Sequence, residues 1–371
     1  VRGFDQKNTA VMVNGVPIND MENGWVYWSN WDGLADAAVS IQLQRGLSAV
    51  NLATPSIGGT LNVITDPSRE AAGVSYKQEF GSANFLKETF GVTTGSRGGF
   101  SLLANLVRKT GDGQWVGGLR DASGNYPNVL ATWTDAWSYY VASAYEINAK
   151  NRLEFYAVAA PQSHGQNSYK FNVATIDAAY ATDLGVSTAA MTRFKEAGRL
   201  WSPNVGPVSP SYAGLRFAST GPQSGTGNRY NANFINEREN YFVKPQVNLN
   251  YYSYFGNGLT WNTVAYYSGG RGGGAGTTGS LKWNSIYIQR FPDWDATIAQ
   301  NAASTTGSKG ILRSSVNNQD TWGVISKLRK DYTSGWTTEV GVDARTASIH
   351  HYQDVRDLLG GAYWKDTTNV F

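Results

Sequence analysis

Residues 239–270 read ENYFVKPQVNLNYYSYFGNGLTWNTVAYYSGG. In this stretch Tyr241, Val243, Val247, Leu249 and Tyr251 alternate with Lys244, Gln246, Asn248 and Asn250. That period-2 pattern belongs to a strand with one apolar and one polar face. The Gly-Asn-Gly at 256–258 is a tight turn signal, so a second strand should return antiparallel over 258–270.

The same alternation recurs along the chain. Val74, Tyr76 and Phe80 oppose Ser75, Lys77 and Glu79; Trp137, Tyr139, Val141, Tyr145 and Ile147 oppose Ser138, Ala142, Ala144 and Glu146. Trp336, Val340, Val342 and Ala344 oppose Thr337, Glu339, Asp343 and Arg345. About nine strands follow from this pattern, near 73–82, 84–95, 99–110, 134–147, 152–162, 239–255, 258–270, 318–330 and 335–350. Their connections alternate in length. Those at 95–99, 148–151, 256–258 and 331–335 are tight, whereas about 111–133, 163–238, 271–317 and 351 onward are long. Short turns at one end and long loops at the other are the asymmetry of outer-membrane barrels. The 163–238 connection is too long to be structureless and contains a helical-looking stretch at 176–199.

Composition agrees. Charged residues make up 16% of the 371-residue chain, against about 25% in an average soluble domain. Aromatics reach 13%, with 21 Tyr and 13 Trp, and there are 42 glycines. No apolar run approaches the ~20 residues of a transmembrane helix. A charge of +3, with scattered basic residues, gives no basis for nucleic acid as a partner. Cysteine is absent, which excludes disulfides, thiolate zinc sites and thiol catalysis.

Residues 9–66 read differently, as a compact α/β piece. A strand at 9–14 runs into the Asn14-Gly15 turn; 34–38 forms a short helix capped by Asp32; 40–44 and 60–65 are short strands separated by a Pro/Gly loop. Three motifs in this region carry a family resemblance: Arg2-Gly3-Phe4; Val13-Asn14-Gly15-Val16-Pro17-Ile18-Asn19-Asp20; and Gln44-Arg45-Gly46 followed by Ile57-Gly58-Gly59-Thr60-Leu61-Asn62-Val63-Ile64-Thr65. In this order and spacing they resemble the second half of the plug domain of TonB-dependent outer-membrane transporters. The stretches Lys244-Pro245-Gln246 and 355–361 are similar to Bacteroidetes members. Two departures stand out. Asn51-Leu52-Ala53-Thr54-Pro55 replaces the usual Tyr-Gly before the Gly-Gly pair, and Leu43-Gln44-Arg45-Gly46 replaces the L-K-D-A variant of the glycan-importing branch with lipoprotein lids.

The resemblance implies an all-β membrane protein. Residues 1–68 would be the C-terminal part of a small α/β plug domain, and 69–371 the N-terminal part of an antiparallel transmembrane β-barrel, 22-stranded in the full family. The chain would then be roughly half of a transporter in the outer membrane of a Gram-negative bacterium. It implies energy-coupled uptake of a ligand, with TonB engaging an N-terminal segment outside this chain. Outer-membrane lipids would surround it, and a surface lipoprotein is a compatible partner. Iron chelate, vitamin, peptide and glycan all remain open as ligand. The competing reading is a barrel subunit that docks or plugs within a larger complex.

The resemblance marks Arg2 and Arg45 as plug arginines that pair with wall glutamates, which would lie beyond Phe371. Ordinary surface arginines are the plain alternative. It marks Gly3, Asn14, Gly15, Pro17, Asp20, Gly46, Gly58, Gly59 and Asn62 as plug motif positions. Trp25, Tyr27, Trp28 and Trp31 crowd one plug loop and could either stack on a ring-bearing ligand or pack against the wall.

No catalytic constellation or cofactor motif emerges, so neither enzyme activity nor a cofactor is expected. His350 and His351 are adjacent and point to opposite faces of a strand, so they cannot share a metal. Asp112, Asp121 and Asn125 lack the EF-hand spacing and read as solvated loop residues. Residues 274–279 match G-x-G-x-x-G, but no helix opens after them, and an outer loop is the expected reading.

Overall fold

The computed structural model describes residues 3–45, 56–113, 131–167, 172–194, 196–212, 214, 233–286 and 289–367. Two sheets dominate it. The smaller contains β1 (Thr9–Val13), β2 (Val16–Pro17), β3 (Ser40–Arg45) and β4 (Gly59–Ile64) in the order β2-β1-β4-β3. Parallel pairing of β1 with β4 and antiparallel pairing of β3 with β4 make it a mixed sheet. Short 3-10 turns at Trp28–Trp31 and Leu34–Ala37 connect β2 to β3. Gly33, not Asp32, occupies the cap of the second turn, with φ +80° and no side-chain cap bond. Asp32 is drawn away by an ion pair with Lys109.

The larger sheet holds β5 (Gly73–Phe80), β6 (Leu86–Thr93), β7 (Phe100–Gly111), β8 (Thr134–Asn148), β9 (Asn151–Ala159) and β10 (Gln162–Gly165). Beyond a connection containing β11 (Val205–Pro207) and β12 (Phe234–Asn236), it continues with β13 (Glu239–Val243), β14 (Gln246–Gly256) and β15 (Leu259–Gly279). After the β16 (Trp283–Ile286) and β17 (Gln289–Pro292) pair it ends with β18 (Gly310–Asp331) and β19 (Thr337–Asp357). The eleven strands of this sheet make nine antiparallel passes, because two passes are each broken in two.

The breaks fall at Pro161 and Pro245 on neighbouring passes, splitting the expected strands at 152–162 and 239–255. Proline has no N–H for the ladder, so strand pairing lapses there. Both carbonyls remain used: Trp137 N–H donates to the Pro161 oxygen and Gly269 N–H to that of Pro245.

The last three passes are longer than their alternation suggested. β15 runs to Gly279 and β18 starts at Gly310, so the expected 271–317 loop shrinks to 280–309. The glycines at 272–276 read as loop, but here they are strand, and the G-x-G-x-x-G stretch ends β15 rather than forming an outer loop. A Cβ on Gly273 would lie 2.4 Å from the Ser315 carbonyl oxygen, so only glycine lets the neighbouring strand approach.

A short helix, α1 (Val173–Ile176), precedes the expected helical stretch at 176–199, which itself forms only two short helices, α2 (Ala178–Asp183) and α3 (Thr188–Met191). A fourth, α4 (Trp294–Ala302), has no counterpart in the sequence reading and begins at an Asp293 side-chain cap. Its Asn301 donates to the carbonyls of Gly310, Leu358 and Leu359 and accepts from Lys309 N–H, tying the ends of β18 and β19 together. Val208, Ile235, Trp294, Leu312 and Leu359 form a core among these long connections.

The wall obeys the alternation. Val74, Tyr139, Val141, Val247, Leu249, Trp322, Val340 and Val342 are exposed on the outer face. Leu103, Tyr140, Ala142, Tyr156 and Val158 are buried on the inner face against Val11, Val13 and Val63 of the small sheet and Ile18 and Val26 of the connection after β2. The small unit therefore plugs the concave side of the wall, and the two share one apolar core. Among the described residues no helix is long and apolar enough to cross a membrane.

Candidate functional site

The plug is seated by a polar knot at the end of β1. Asn14 has φ +49°, which asparagine tolerates because its side chain bonds locally. Its Oδ1 accepts from Thr65 N–H at 2.9 Å, and its Nδ2 donates to Thr65 Oγ1 at 2.9 Å and to Tyr140 OH at 3.4 Å. Tyr140 and Thr65 hydroxyls touch, and Tyr156 OH reaches the Thr65 carbonyl at 3.2 Å. From a third wall strand, Asn250 Nδ2 donates to the Asn14 carbonyl at 3.2 Å. Gly15, at φ +83°, completes the turn, and its N–H donates to Asn62 Oδ1 at 3.3 Å. Pro17 is buried in β2.

The two glycines that open β4 are there for space. A Cβ on Gly58 would meet Thr9 Oγ1 at 2.8 Å, and one on Gly59 would lie 2.3 Å from the Gln44 carbonyl oxygen. Gly3, at φ +78°, has open space around it, so its requirement is conformational. Arg45 is exposed at the end of β3 and makes no ion pair among the described residues. Arg2 and Gly46 lie outside the described residues, as do Asp121 and Asn125. Asp112 accepts a hydrogen bond from Asn84 at 2.5 Å. Among the described residues no group of three or more His, Cys, Asp or Glu could hold a metal ion.

What the sequence reading missed is a seam of ion pairs with one polarity. The plug supplies the carboxylates and the wall supplies the cations. Asp36 meets Lys87 at 2.8 Å and Lys77 at 3.5 Å; Asp32 meets Lys109; Asp66 meets Arg152 at 2.8 Å. Glu22 Oε2 also lies 2.9 Å from His351 Nε2, a contact that is an ion pair only with the imidazole protonated. Asp20 lies 3.9 Å from Lys244, and the Gln319 carboxamide bridges them at 3.2 Å and 2.7 Å. The signal was present in part: Lys77 and Lys244 fall on the polar face of their strands. Nothing local, however, pairs them with acids some 40 to 220 positions away.

Arg152 is the busiest of these cations. It also donates to Glu154 at 2.7 Å, Glu146 at 2.6 Å and Ser68 Oγ at 3.2 Å. Burial pushes the Asp66 carboxyl up, but hydrogen bonds from Ser68 and Arg152 outweigh it and hold it below its ordinary value.

Above the knot, Asp20 shapes the aromatic loop. Its Oδ1 accepts from the N–H groups of Glu22 and Asn23 at 3.0 and 3.2 Å, and Asn19 clamps the loop to Thr9 and Gly24 carbonyls. Of the four loop aromatics, Trp28 is 53% exposed and Trp31 only 4%, so Trp31 is a packing residue of the plug core. Trp25 lies under Lys7, with 5.3 Å from Nζ to the ring centroid, and Tyr27 accepts from Asn23 Nδ2 at 3.1 Å. Between this loop and the inner wall is a cavity of about 190 Å³, lined by Asn30, Tyr27, Asn240, Phe242, Asn317 and His351 among others. A second cavity of about 310 Å³ separates the Asn62 side of the plug from Tyr252 and Lys327.

No protein-family model matches the chain. No curated protein matches it either. Solved structures do. The ferric citrate transporter FecA in its unliganded form aligns with a TM-score of 0.55 at 13% identity, covering 100% of this chain and 43% of that one. The ferric-catecholate import receptor Fiu from E. coli K12, in its open form, gives 0.53 at 13% identity over 95% of this chain and 44% of Fiu. The copper transporter OprC gives 0.55 at 11% identity, covering 96% and 42%. The chain thus spans about two fifths of the length of these structures, and what it shares with them is the fold: a plug seated against the inner wall of an antiparallel barrel, as in TonB-dependent outer-membrane receptors.

Proposed function

We propose that this chain is the plug-bearing part of a TonB-dependent transporter that takes up a ligand across the outer membrane of a Gram-negative bacterium. The observation that carries this reading is the plug's attachment. It is held on the wall by a shared apolar core and a set of ion pairs and side-chain hydrogen bonds, with cavities left between plug and wall. Such an interface holds a closed state yet releases under load, because polar contacts can exchange partners with water. The outward band of Val, Leu, Tyr and Trp suits lipid, and the inward Lys, Asn and Glu suit a wet lumen. TonB, pulling on a segment N-terminal to the plug, would supply the work; a surface lipoprotein is compatible with the long loops.

This chain carries no cysteine, so a single introduced thiol, with any cysteine elsewhere in the full-length protein replaced, allows a direct test. Val16 is fully buried between plug and wall, against Tyr266 and Ile325. In the full-length protein carrying Val16→Cys, a membrane-impermeant maleimide should label cells with active TonB and an energised inner membrane. Cells lacking TonB should label far more slowly. Equal labelling in both would reject transport and favour a docking subunit in a larger complex.

A further inference from the structure

The cavity between the aromatic loop and the wall has a distinctive chemistry. Its polar lining is dominated by carboxamides: Asn23, Asn30, Asn240, Asn317, Asn318 and Gln319. Several of these have hydrogen-bonding capacity to spare. Asn30 is 4% exposed, yet its side chain has no hydrogen-bond partner among the described residues while it lines the cavity. Asn240 uses its Oδ1 on Gln162 and Asn317 uses its Oδ1 on His351, which leaves both Nδ2 groups available. None of these amide groups is among the sealed, unpartnered polar atoms of the described residues; they face the cavity, where a guest can bond them.

The carboxylates there already have partners within the protein. Asp20 is met by its own loop N–H groups, Gln319 and Lys244, and Glu22 by His351. An anionic guest would find no uncommitted cation among the described lining residues and would face two carboxylates. What remains are paired donors and acceptors, with the aromatic side chains of Tyr27 and Phe242 in the same lining. A sugar hydroxyl both donates and accepts, as each carboxamide does, and the C–H face of a pyranose lies flat on an aromatic ring. A volume of about 190 Å³ is below the ~300–1,000 Å³ of a pocket enclosing a whole drug-sized ligand, so it takes one ring-sized unit of something larger.

We propose that this cavity is a subsite for one uncharged sugar unit of a free oligosaccharide or glycoside. The inference rests on the transporter reading above and names the ligand class for it.

The test uses the purified full-length protein in detergent, probed on an array of neutral oligosaccharides, with ferric citrate as an anionic chelate and a neutral hexapeptide as the other probes. Binding to neutral oligosaccharides is expected, weakened about tenfold by Asn317→Leu on the wall and by Asn30→Ala on the plug. Because Asn30 is buried and its variant can perturb the plug, Ser29→Ala at the cavity edge is the milder second variant, expected to weaken binding a few-fold. Failure to bind any array member, or oligosaccharide binding that all three variants leave unchanged, overturns the subsite. So does binding of ferric citrate or the peptide in place of sugar. TonB-dependent uptake measured in parallel separates the two readings. Uptake of an anionic chelate keeps the transporter and overturns the sugar site, whereas variant-sensitive sugar binding without uptake keeps the site and removes the transporter.

Discussion

Replacing Arg152 with methionine should loosen the plug without unfolding the wall. The Arg152 side chain is 22% exposed, and its partners Asp66 and Glu154 are 15% and 9% exposed. Breaking a fully buried pair costs about 3–5 kcal/mol, and breaking an exposed one about 0–1 kcal/mol. This triad is partly buried, and Asp66 keeps its bonds from Ser68 N–H and Arg69 Nε, so the expected loss is about 2–3 kcal/mol. Read as local opening of the plug, that is about a 30- to 150-fold faster amide exchange in β1 and β4. The assay is hydrogen exchange by mass spectrometry on the detergent-solubilised full-length protein. The wall strands β7 and β14, held by their own ladders, should exchange as before. Glu146→Gln, which removes the outermost and most exposed partner, should stay within about 0.5 kcal/mol of the parent. Unchanged exchange in β1 and β4 would refute the claim that Arg152 anchors the plug. Uniform acceleration through the wall would show that it braces the barrel instead.

Three other expectations follow from the same geometry. Because the Asp66 carboxyl is held below its ordinary value in the folded state, its stabilising contribution is complete above the unfolded value of about 3.9 and is lost as pH falls through the lower folded value. The gap in plug exchange between the parent and Asp66→Asn should therefore be constant above about pH 5 and close under acid; a gap that persists at the acid end refutes it. Gly59→Ala places a Cβ 2.3 Å from the Gln44 carbonyl at φ +132°, so β3 should detach from β4 and become protease-sensitive while the barrel still inserts. Val342, 64% exposed on the outer face of β19, should resist arginine: Val342→Arg is expected to cost about 2–4 kcal/mol of folding stability in lipid vesicles if it lies at mid-membrane, whereas its lumen-facing neighbour Asp343 should accept asparagine at much lower cost.

The comparison of sequence and structure divides along the range of the interactions. Period-2 alternation is local, and it located all nine passes of the wall, the tight turns between them and the outward-facing set of side chains. The Asn14-Gly15 turn and the paired glycines at 58–59 were equally legible, since a positive φ or a missing Cβ leaves its mark on the residue itself. Local pattern failed where a neighbour decided the outcome. The 272–276 glycines look like a loop until β13 and β18 close in on either side, and the broken passes at Pro161 and Pro245 show only when the partner strand is in place.

The sequence by itself therefore determined the fold class: alternation, turn asymmetry, aromatic content and the plug motifs are each properties of short segments. Only the tertiary structure decided how plug and wall meet. Asp66 finds Arg152, Asp36 finds Lys87 and Glu22 finds His351 because curvature of the sheet brings distant inward-facing positions around one small unit. The carboxamides of the upper cavity converge from the plug loop, β13 and β18 for the same reason. Side-chain alternation specifies the face on which a residue lies; its partner across the lumen is set by strand register, curvature and the seat of the plug, which no single segment encodes.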